Sequence, residues 1–553
     1  MSTSPTQRLW KLILKEKQEI GPIYFYAILN GLLQLAVPIG VQAIIGFVMG
    51  ASMVTSIYVL VVIIVMAVLL VGLMQIKQMQ VIEKIQQKIF TRYAFAFAET
   101  IPRLDLIHED SHYLPERVNR FFDTMSLQKG LSKLLLEIPT ASIQIIFGLL
   151  LLALYHPIFI IFGFLLLFTL WLILKITGKN GLRTSLKEST YKYAVVAWME
   201  EIAVNIKSFK FSQGTNLNLQ KTDTNLVGYL SSRTAHFNVL LFQYWSLVLF
   251  KVFITIGMLG VGTYLLIEQQ LNIGEFIAAE IVILTVIAAV EKLIMNLDSV
   301  YDVITGLEKI SLVLESPLEQ DGKINLKAKN KGLEIQCMQL SFQYPGSTTI
   351  LNHIDTHIPS NSLVCISGES GAGKSTLLKL FGTYYKHFEG ALLFNQMPMN
   401  QYTLESLRKH TGIYLHQEEI FKGSILENIT FNRDGISSES VIDMIHQLGL
   451  QDDFNLLPDG LETQVYTTGN NLSSTLVKTI LLLRAFANNP SLLLMEEPWQ
   501  GLNEPYKKRL IHYLLSLKQH TTICIVSNDA SFANQCDYIL ELKNGQLKTI
   551  TNT

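Results

Sequence analysis

GESGAGKST, residues 368–376, follows the apolar run Leu363–Ile366 and opens into LLKLFG, so it reads as a strand, a glycine loop and a helix. That order builds a cradle for nucleotide phosphates. Gly368 and Gly373 let the backbone wrap closely around oxygen atoms, and Glu369, Ser370, Gly371 and Ala372 complete the loop between them. Lys374 is placed to reach the β- and γ-phosphates, Ser375 to put a hydroxyl on Mg²⁺, and Thr376 opens the helix behind them. The cofactors expected from this segment are ATP and Mg²⁺.

Outward from that loop the composition divides the chain. Of 553 residues, 49% are hydrophobic and only 16% charged, which indicates a membrane protein. The apolar residues crowd before about residue 300 and the charged ones follow it, so the two halves are suited to different solvents. A net charge of −1 argues against nucleic acid as a principal partner. Cys337, Cys365, Cys524 and Cys536 all fall in the second half without metal-ligand spacing, as suits a reducing cytosol.

Six stretches are long and apolar enough to cross a bilayer: 23–49, 54–75, 136–155, 157–176, 238–267 and 273–295. The connections alternate between very short ones, near 50–54, 155–157 and 268–273, and long ones, 76–135 and 177–237. The long connections are rich in Lys and Arg, among them Lys84, Arg92, Arg117, Lys133, Lys187 and Arg233, while the short ones have none. The positive-inside rule therefore places both termini and both long connections in the cytoplasm. Segments such as QVIEKIQQKIF keep helical spacing, so the long connections are expected to be helices that leave the membrane and turn back near Leu104–Tyr113 and Ile206–Phe211. The first twenty residues, with Arg8, Lys11, Lys15 and Lys17 beside Trp10, Leu12, Ile13 and Leu14, read as an amphipathic helix lying on the membrane and not as a signal peptide.

Charges within spans mark pathways or structural contacts, and Lys251 and Glu280 are the two to weigh. With the fifth span running outward and the sixth inward, they sit roughly 25 Å and roughly 10 Å from the outer end at 1.5 Å per residue, so they are not expected to pair. Glu280 is expected to face a water-filled cavity. Asn30, Gln34, Gln42 and Gln144 are expected to hydrogen-bond between helices.

After ESPLEQDGKINLKAKNKG, short β-rich runs alternate with helical ones, the pattern of an α/β domain. LSFQYPG, GESGAGKST, IYLHQEEIFKGSILENITF (413–431), NNLSSTLVKTILLLRAF (470–486), SLLLMEEP (491–498) and TTICIVSNDA (521–530) follow one another as in an ABC-type ATPase domain. With six spans ahead, the whole chain resembles a half-transporter of the type I ABC exporter family, closest in look to the hemolysin-type and peptide-exporting branch. The resemblance implies an α-helical six-span transmembrane domain followed by a P-loop α/β ABC nucleotide-binding domain. Its divisions would be a lead-in helix at 1–20, the transmembrane domain at 21–315, a linker at 316–330 and the ATP-binding domain at 331–553. It implies a dimer with an identical or different half-transporter, room for a periplasmic adaptor protein, and a multi-pass location in a bacterial plasma (inner) membrane. The function implied is ATP-driven export of a peptide, protein or amphiphile. The rival reading is an ATP-binding, hydrolysis-poor partner or regulatory subunit of a heterodimeric transporter or secretion complex.

Carried over position by position, the resemblance makes Tyr344 the aromatic that stacks on adenine and Gln417 the residue linking Mg²⁺ to the membrane half. Glu497 becomes the carboxylate that polarises the attacking water, and Glu496 stands at a metal position where the family has Asp. The family signature LSGGQ appears here as Leu472, Ser473, Ser474, Thr475 and Leu476, with Ser473 kept for the nucleotide of the opposite subunit. Side chains at 474 and 475 are expected to obstruct close approach to a γ-phosphate. Asn528 replaces the switch histidine; it can hydrogen-bond but carries no proton, and His520 precedes the strand and is no substitute. WQGLN ends in Asn503 where Asp is usual. Binding motifs are intact and turnover motifs altered, so slow hydrolysis is expected.

Overall fold

The structure is a computed structural model describing residues 4–50, 54–109, 114–212, 215–327, 331–416, 419–469 and 471–551. It divides into two compact units, one of Met1–Arg103 and Tyr113–Ser316, the other of Leu104–His112 and Pro317–Thr553.

The first unit is helical among its described residues: α1 (Pro5–Lys15), α2 (Lys17–Gln34), α3 (Ala36–Met49), α4 (Val54–Thr100), then, past α5 (Leu106–Glu109) of the other unit, α6 (Leu114–Asn119), α7 (Asp123–Tyr155), α8 (Ile158–Val204), α9 (Ile206–Phe211), α10 (Leu217–Ile267), α11 (Ile273–Met295) and α12 (Leu297–Leu314). Six helical stretches are long and apolar enough to cross a membrane. At 47, 47 and 51 residues, α4, α8 and α10 run about 70–77 Å, more than twice the roughly 30 Å of hydrocarbon they would cross. The long connections are thus continuations of the spanning helices, and the turns read at 104–113 and 206–211 hold the short helices α5 and α9. α8 runs beside α10, and α7 beside both α11 and α12.

Polar residues in the spans tie helices together. Gln144 of α7 donates to Gln34 of α2, and Tyr155 Oη of α7 to Gln42 of α3 at 2.8 Å, whereas the bond from Gln34 to Asn30, at 3.1 Å, stays within α2 and not between helices as expected. Gln243 of α10 donates to Thr177 Oγ1 of α8 at 2.7 Å and to Tyr301 Oη of α12 at 3.1 Å, so a buried amide joins three helices. Lys251 does not stand alone: it is paired with Glu291 on α11, which sequence reasoning did not single out. Glu280 is half-buried on the same helix, with no ion pair among the described residues.

The lead-in stretch is helical and has one face against protein. α1 is capped by Ser4 in a reciprocal capping box with Gln7 and has Pro5 in its first turn. Arg8 then pairs with Glu308 and Glu315, and Leu12 is buried in a cluster with Ile89, Leu307, Ile310 and Val313. A cavity of about 380 Å³ bordered by Arg8, Leu12, Arg92, Tyr93 and Leu314 lies along it. The face of α1 that carries Leu12 thus packs on protein, while Trp10 and Leu14 on its other side are exposed.

The second unit holds strands β1 (Ile335–Gln343), β2 (Thr349–Ile358), β3 (Leu363–Gly368), β4 (Glu389–Phe394), β5 (Met397–Pro398), β6 (Thr411–Tyr414), β7 (Gly423–Ser424), β8 (Gln464–Val465), β9 (Leu492–Glu496), β10 (Thr522–Val526), β11 (Tyr538–Lys543) and β12 (Gln546–Thr551). Helices α13 (Lys374–Phe381), α14 (Leu404–Lys409), α15 (Ile425–Thr430), α16 (Ser438–Leu448), α17 (Gln451–Asn455), α18 (Ser474–Phe486), α19 (Glu504–Leu517) and α20 (Ala530–Ala533) complete it. The main sheet runs β12-β11-β3-β10-β9-β6, parallel except for β12, and an antiparallel sheet runs β2-β1-β4-β5. β3, β9 and β10 are buried on both faces, which is why they read as unbroken apolar runs and why Cys365 and Cys524 serve there as small core residues.

The stretch read as a linker, 316–330, belongs to this unit from Pro317 onward. Glu319 makes a bidentate pair with Arg408, Asp321 accepts from the Leu404 N–H, and Ile324 bridges to Tyr402. Leu104–His112 belongs here too: Leu104 bridges Leu318, and Asp105 pairs with His387 at 2.9 Å.

Candidate ATP-binding site

β3 carries the chain from the sheet core into the phosphate loop, and α13 carries it away. Gly368 has φ +143°, and a Cβ there would lie 2.2 Å from the Leu542 carbonyl oxygen of β11. Only glycine fits. Gly373, φ +100°, turns the chain into α13, so the first N–H groups of that helix face the loop's hollow. Lys374 folds back and donates to the carbonyls of Gly368 and Glu369, at 2.7 Å each. Its ammonium is thus held over the loop spanning Glu369, Ser370, Gly371 and Ala372. Thr376 Oγ1 lies 3.3 Å from Tyr344 Oη, and the Tyr344 ring packs edge-on against Phe342 and Tyr385. This brings the proposed adenine-stacking residue to the phosphate-loop helix, beside a cavity of about 480 Å³ that it lines with Phe342, Pro345 and Phe388.

The carboxylates meet the loop from β9. Ser375 Oγ donates to Glu496 Oε1, so hydroxyl and carboxylate adjoin. Two hard oxygen donors side by side suit a magnesium ion shared with phosphate, and the extra methylene of Glu496 relative to Asp is taken up without displacing it from Ser375. Gln417, assigned a role at the metal, lies outside the described residues.

Glu497 follows with φ +42°, a left-handed backbone that a non-glycine residue adopts at a cost and that is concentrated at functional sites. Its Oε1 accepts the Asn528 N–H and its Oε2 the Ser527 hydroxyl, both at 3.3 Å. Asn528 Oδ1 accepts the Gly368 N–H at 3.1 Å, leaving the amide nitrogen as a neutral donor. Ser527 is fully buried, and sequence reasoning missed it. Its neighbours in the motif drew attention by departing from a pattern, whereas Ser527 is visible only through the bond it makes.

The altered signature is also recast. Ser473 caps α18, accepting the Leu476 N–H at 3.1 Å, while Ser474 and Thr475 are exposed in its first turn. Leu476, standing where a glutamine is expected, is buried against the core formed with Ile480 and Trp499. Asn503 is the N-cap of α19, accepting the Tyr506 N–H at 2.9 Å. Asn and Asp cap almost equally well, so this exchange keeps the local job and is not a defect by itself.

A family model described as "ABC transporter" matches residues 351–500, which include the phosphate loop and both carboxylates. The solved structure of a bacterial Atm1-family ABC exporter with ATP bound superposes with a TM-score of 0.84 at 19% identity, covering 97% of this chain and 95% of that one. The family match is to a segment of the second unit, and the likeness to the exporter is one of fold over the whole chain. Among curated proteins, it is 27% identical over 297 residues to an uncharacterized ABC transporter ATP-binding protein, YwjA of Bacillus subtilis, covering 54% of this chain and 52% of that protein. It is 26% identical over 350 residues to the alpha-hemolysin translocation ATP-binding protein HlyB of Escherichia coli O157:H7, covering 63% and 49%. It is 30% identical over 291 residues to the leukotoxin translocation ATP-binding protein LktB of Mannheimia glucosida, covering 52% and 41%. These matches span about half the length, or less, of the relatives. The matched segment contains the phosphate loop, the paired carboxylates and α18, whose first turn carries the exposed side chains of Ser474 and Thr475.

Proposed function

We propose that the chain is one half of a dimeric ABC exporter that moves a peptide, protein or amphiphile across a membrane, with slow ATP hydrolysis. The observation that carries this reading is the contrast within one domain: the phosphate loop, Ser375, Glu496 and Glu497 adjoin, while α18 opens with side chains at Ser474 and Thr475. ATP with Mg²⁺ would be held by Lys374, Ser375 and Glu496, with Tyr344 on the base. When bound, the metal supplies neutralisation of phosphate charge. Glu497 would orient water at its Oε atoms, Asn528 would donate to the γ-phosphate, and Ser473 would serve the nucleotide of the opposite half. Closure of two such domains around ATP is the step that would switch a membrane cavity from inward to outward. The names of HlyB and LktB, both translocation proteins for toxins, support a protein or peptide cargo.

A heterodimer is favoured by the exposed Ser474 and Thr475: a partner with glycines there would complete this chain's phosphate loop, whereas a second copy would repeat the obstruction. Steady-state ATPase of the purified chain in lipid nanodiscs, alone and with a candidate partner, tests this. Slow turnover that Glu497→Gln removes is expected. A rate no higher than that variant's, with ATP still bound, would favour the hydrolysis-poor partner instead.

We further propose that both termini, both long connections and the ATP-binding domain are cytoplasmic. The four native thiols are buried and should give little background. A cysteine at Gln270, between α10 and α11, should react with an impermeant thiol reagent applied to intact cells, and one at exposed Ser208 only after permeabilisation. The opposite pattern reverses the topology.

A further inference from the structure

Both oxygens of Glu497 are held by one turn, Ser527–Asp529, at the end of β10. The Ser527 hydroxyl that donates to Glu497 itself accepts the Asp529 N–H at 3.1 Å, so the three groups form a chain of hydrogen bonds. Asn528, in the middle, spans Glu497 and the first N–H of the phosphate loop. The turn's geometry therefore decides where the water-orienting carboxylate and the switch-position amide point.

The turn is fastened at its far end. Asp529 Oδ1 accepts from the Ser531 N–H at 2.8 Å, the Ser531 hydroxyl at 2.6 Å and the Phe532 N–H at 3.3 Å, while Oδ2 is paired with Lys507 Nζ of α19. All four contacts converge on one carboxylate. Lys507, in turn, has Glu504 at 3.9 Å as a second, looser partner. The pair to Lys507 and the bonds from Ser531 hold the Asp529 carboxyl well below the usual range, at about 2, so it is ionised throughout the physiological range.

We propose that Lys507 and Asp529 are a positioning pair for hydrolysis, fixing the turn through which Ser527 and Asn528 aim Glu497. The proposal rests on the reading that ATP is hydrolysed at this site. Neither residue is placed against nucleotide, and a backbone held at φ +42° at Glu497 depends on its surroundings to stay there. α19 thereby becomes part of the catalytic support, although its sequence carries no nucleotide motif.

The test uses the full chain in nanodiscs. Lys507→Met should lower kcat roughly ten- to a hundredfold, the scale of a small misplacement of a reacting group, with fluorescent-ATP affinity unchanged within about twofold. Lys507→Arg should restore most of kcat. Unchanged kcat in Lys507→Met, affinity falling in step with kcat, or failure of arginine to rescue overturns the proposal. Should the parent hydrolyse no faster than Glu497→Gln, the ATPase reading itself fails. Amide hydrogen exchange of ATP-bound protein across 496–498 and 527–532 then decides the positioning role. Faster exchange in Lys507→Met but not in Lys507→Arg supports it, and unchanged exchange overturns it.

Discussion

Replacing Ser474 and Thr475 by glycine and Asn528 by histidine is expected to raise ATPase by a factor on the order of 10²–10³, the typical worth of restoring one preorganised donor in a phosphate or oxyanion site. Most of the barrier to phosphoryl transfer is lowered by gripping the γ-phosphate and placing the nucleophile, not by covalent chemistry. Glu497 is already in place beside the phosphate loop, so the missing part is the grip. Ser474 and Thr475 sit at the N-terminus of α18, where bare backbone would let N–H groups approach an anion. Leu476 is left alone in this design: it is buried at 7% exposure, and an amide there would have to be desolvated. Adding Glu497→Gln to the restored chain should abolish the gain. If the restored protein binds ATP, dimerises and turns over no faster, Glu496 is the next residue to exchange for Asp.

Lys374→Ala should weaken ATP binding by about 1.5–3 kcal/mol, the range for a hydrogen bond to a charged group, or roughly 10- to 150-fold in Kd. The ammonium is already posed over the loop by the carbonyls of Gly368 and Glu369, so little ordering remains to offset its attraction to phosphate. Because the side chain also steadies those carbonyls, thermal stability of the nucleotide-free variant should be measured alongside. Equal affinity of parent and variant in an equilibrium titration would remove the phosphate loop from nucleotide binding altogether.

The parts of the site that could be read in advance are those whose chemistry demands particular residues in a row. GESGAGKST fixes Gly368, Gly373, Lys374 and Ser375 at one spacing, and the apolar runs of β3, β9 and β10 follow from burial on both faces. What escaped were relations between distant positions. Lys251 and Glu291 stand 40 residues apart, and only the register of α10 against α11 brings them together. Asn503 looked like a lost function because its motif usually ends in Asp; its cap shows that either residue satisfies the helix. The segment 317–327 is polar enough to read as a tether, yet Arg408 and Tyr402, some 80 to 90 positions on, take up its polar groups.

The insertion of Leu104–His112 into the second unit sets an order on synthesis. Asp105 leaves the ribosome 282 residues before its partner His387. At 5–20 residues per second, that is a wait of roughly 15–60 s. During that interval Asp105 lacks His387, and for the first 214 residues of synthesis after it Leu104 lacks Leu318 as well. Nascent chains stalled before residue 387 should therefore be open to proteolysis around 104–107 and protected there once released. A fragment beginning at residue 317 would mature without a piece of itself.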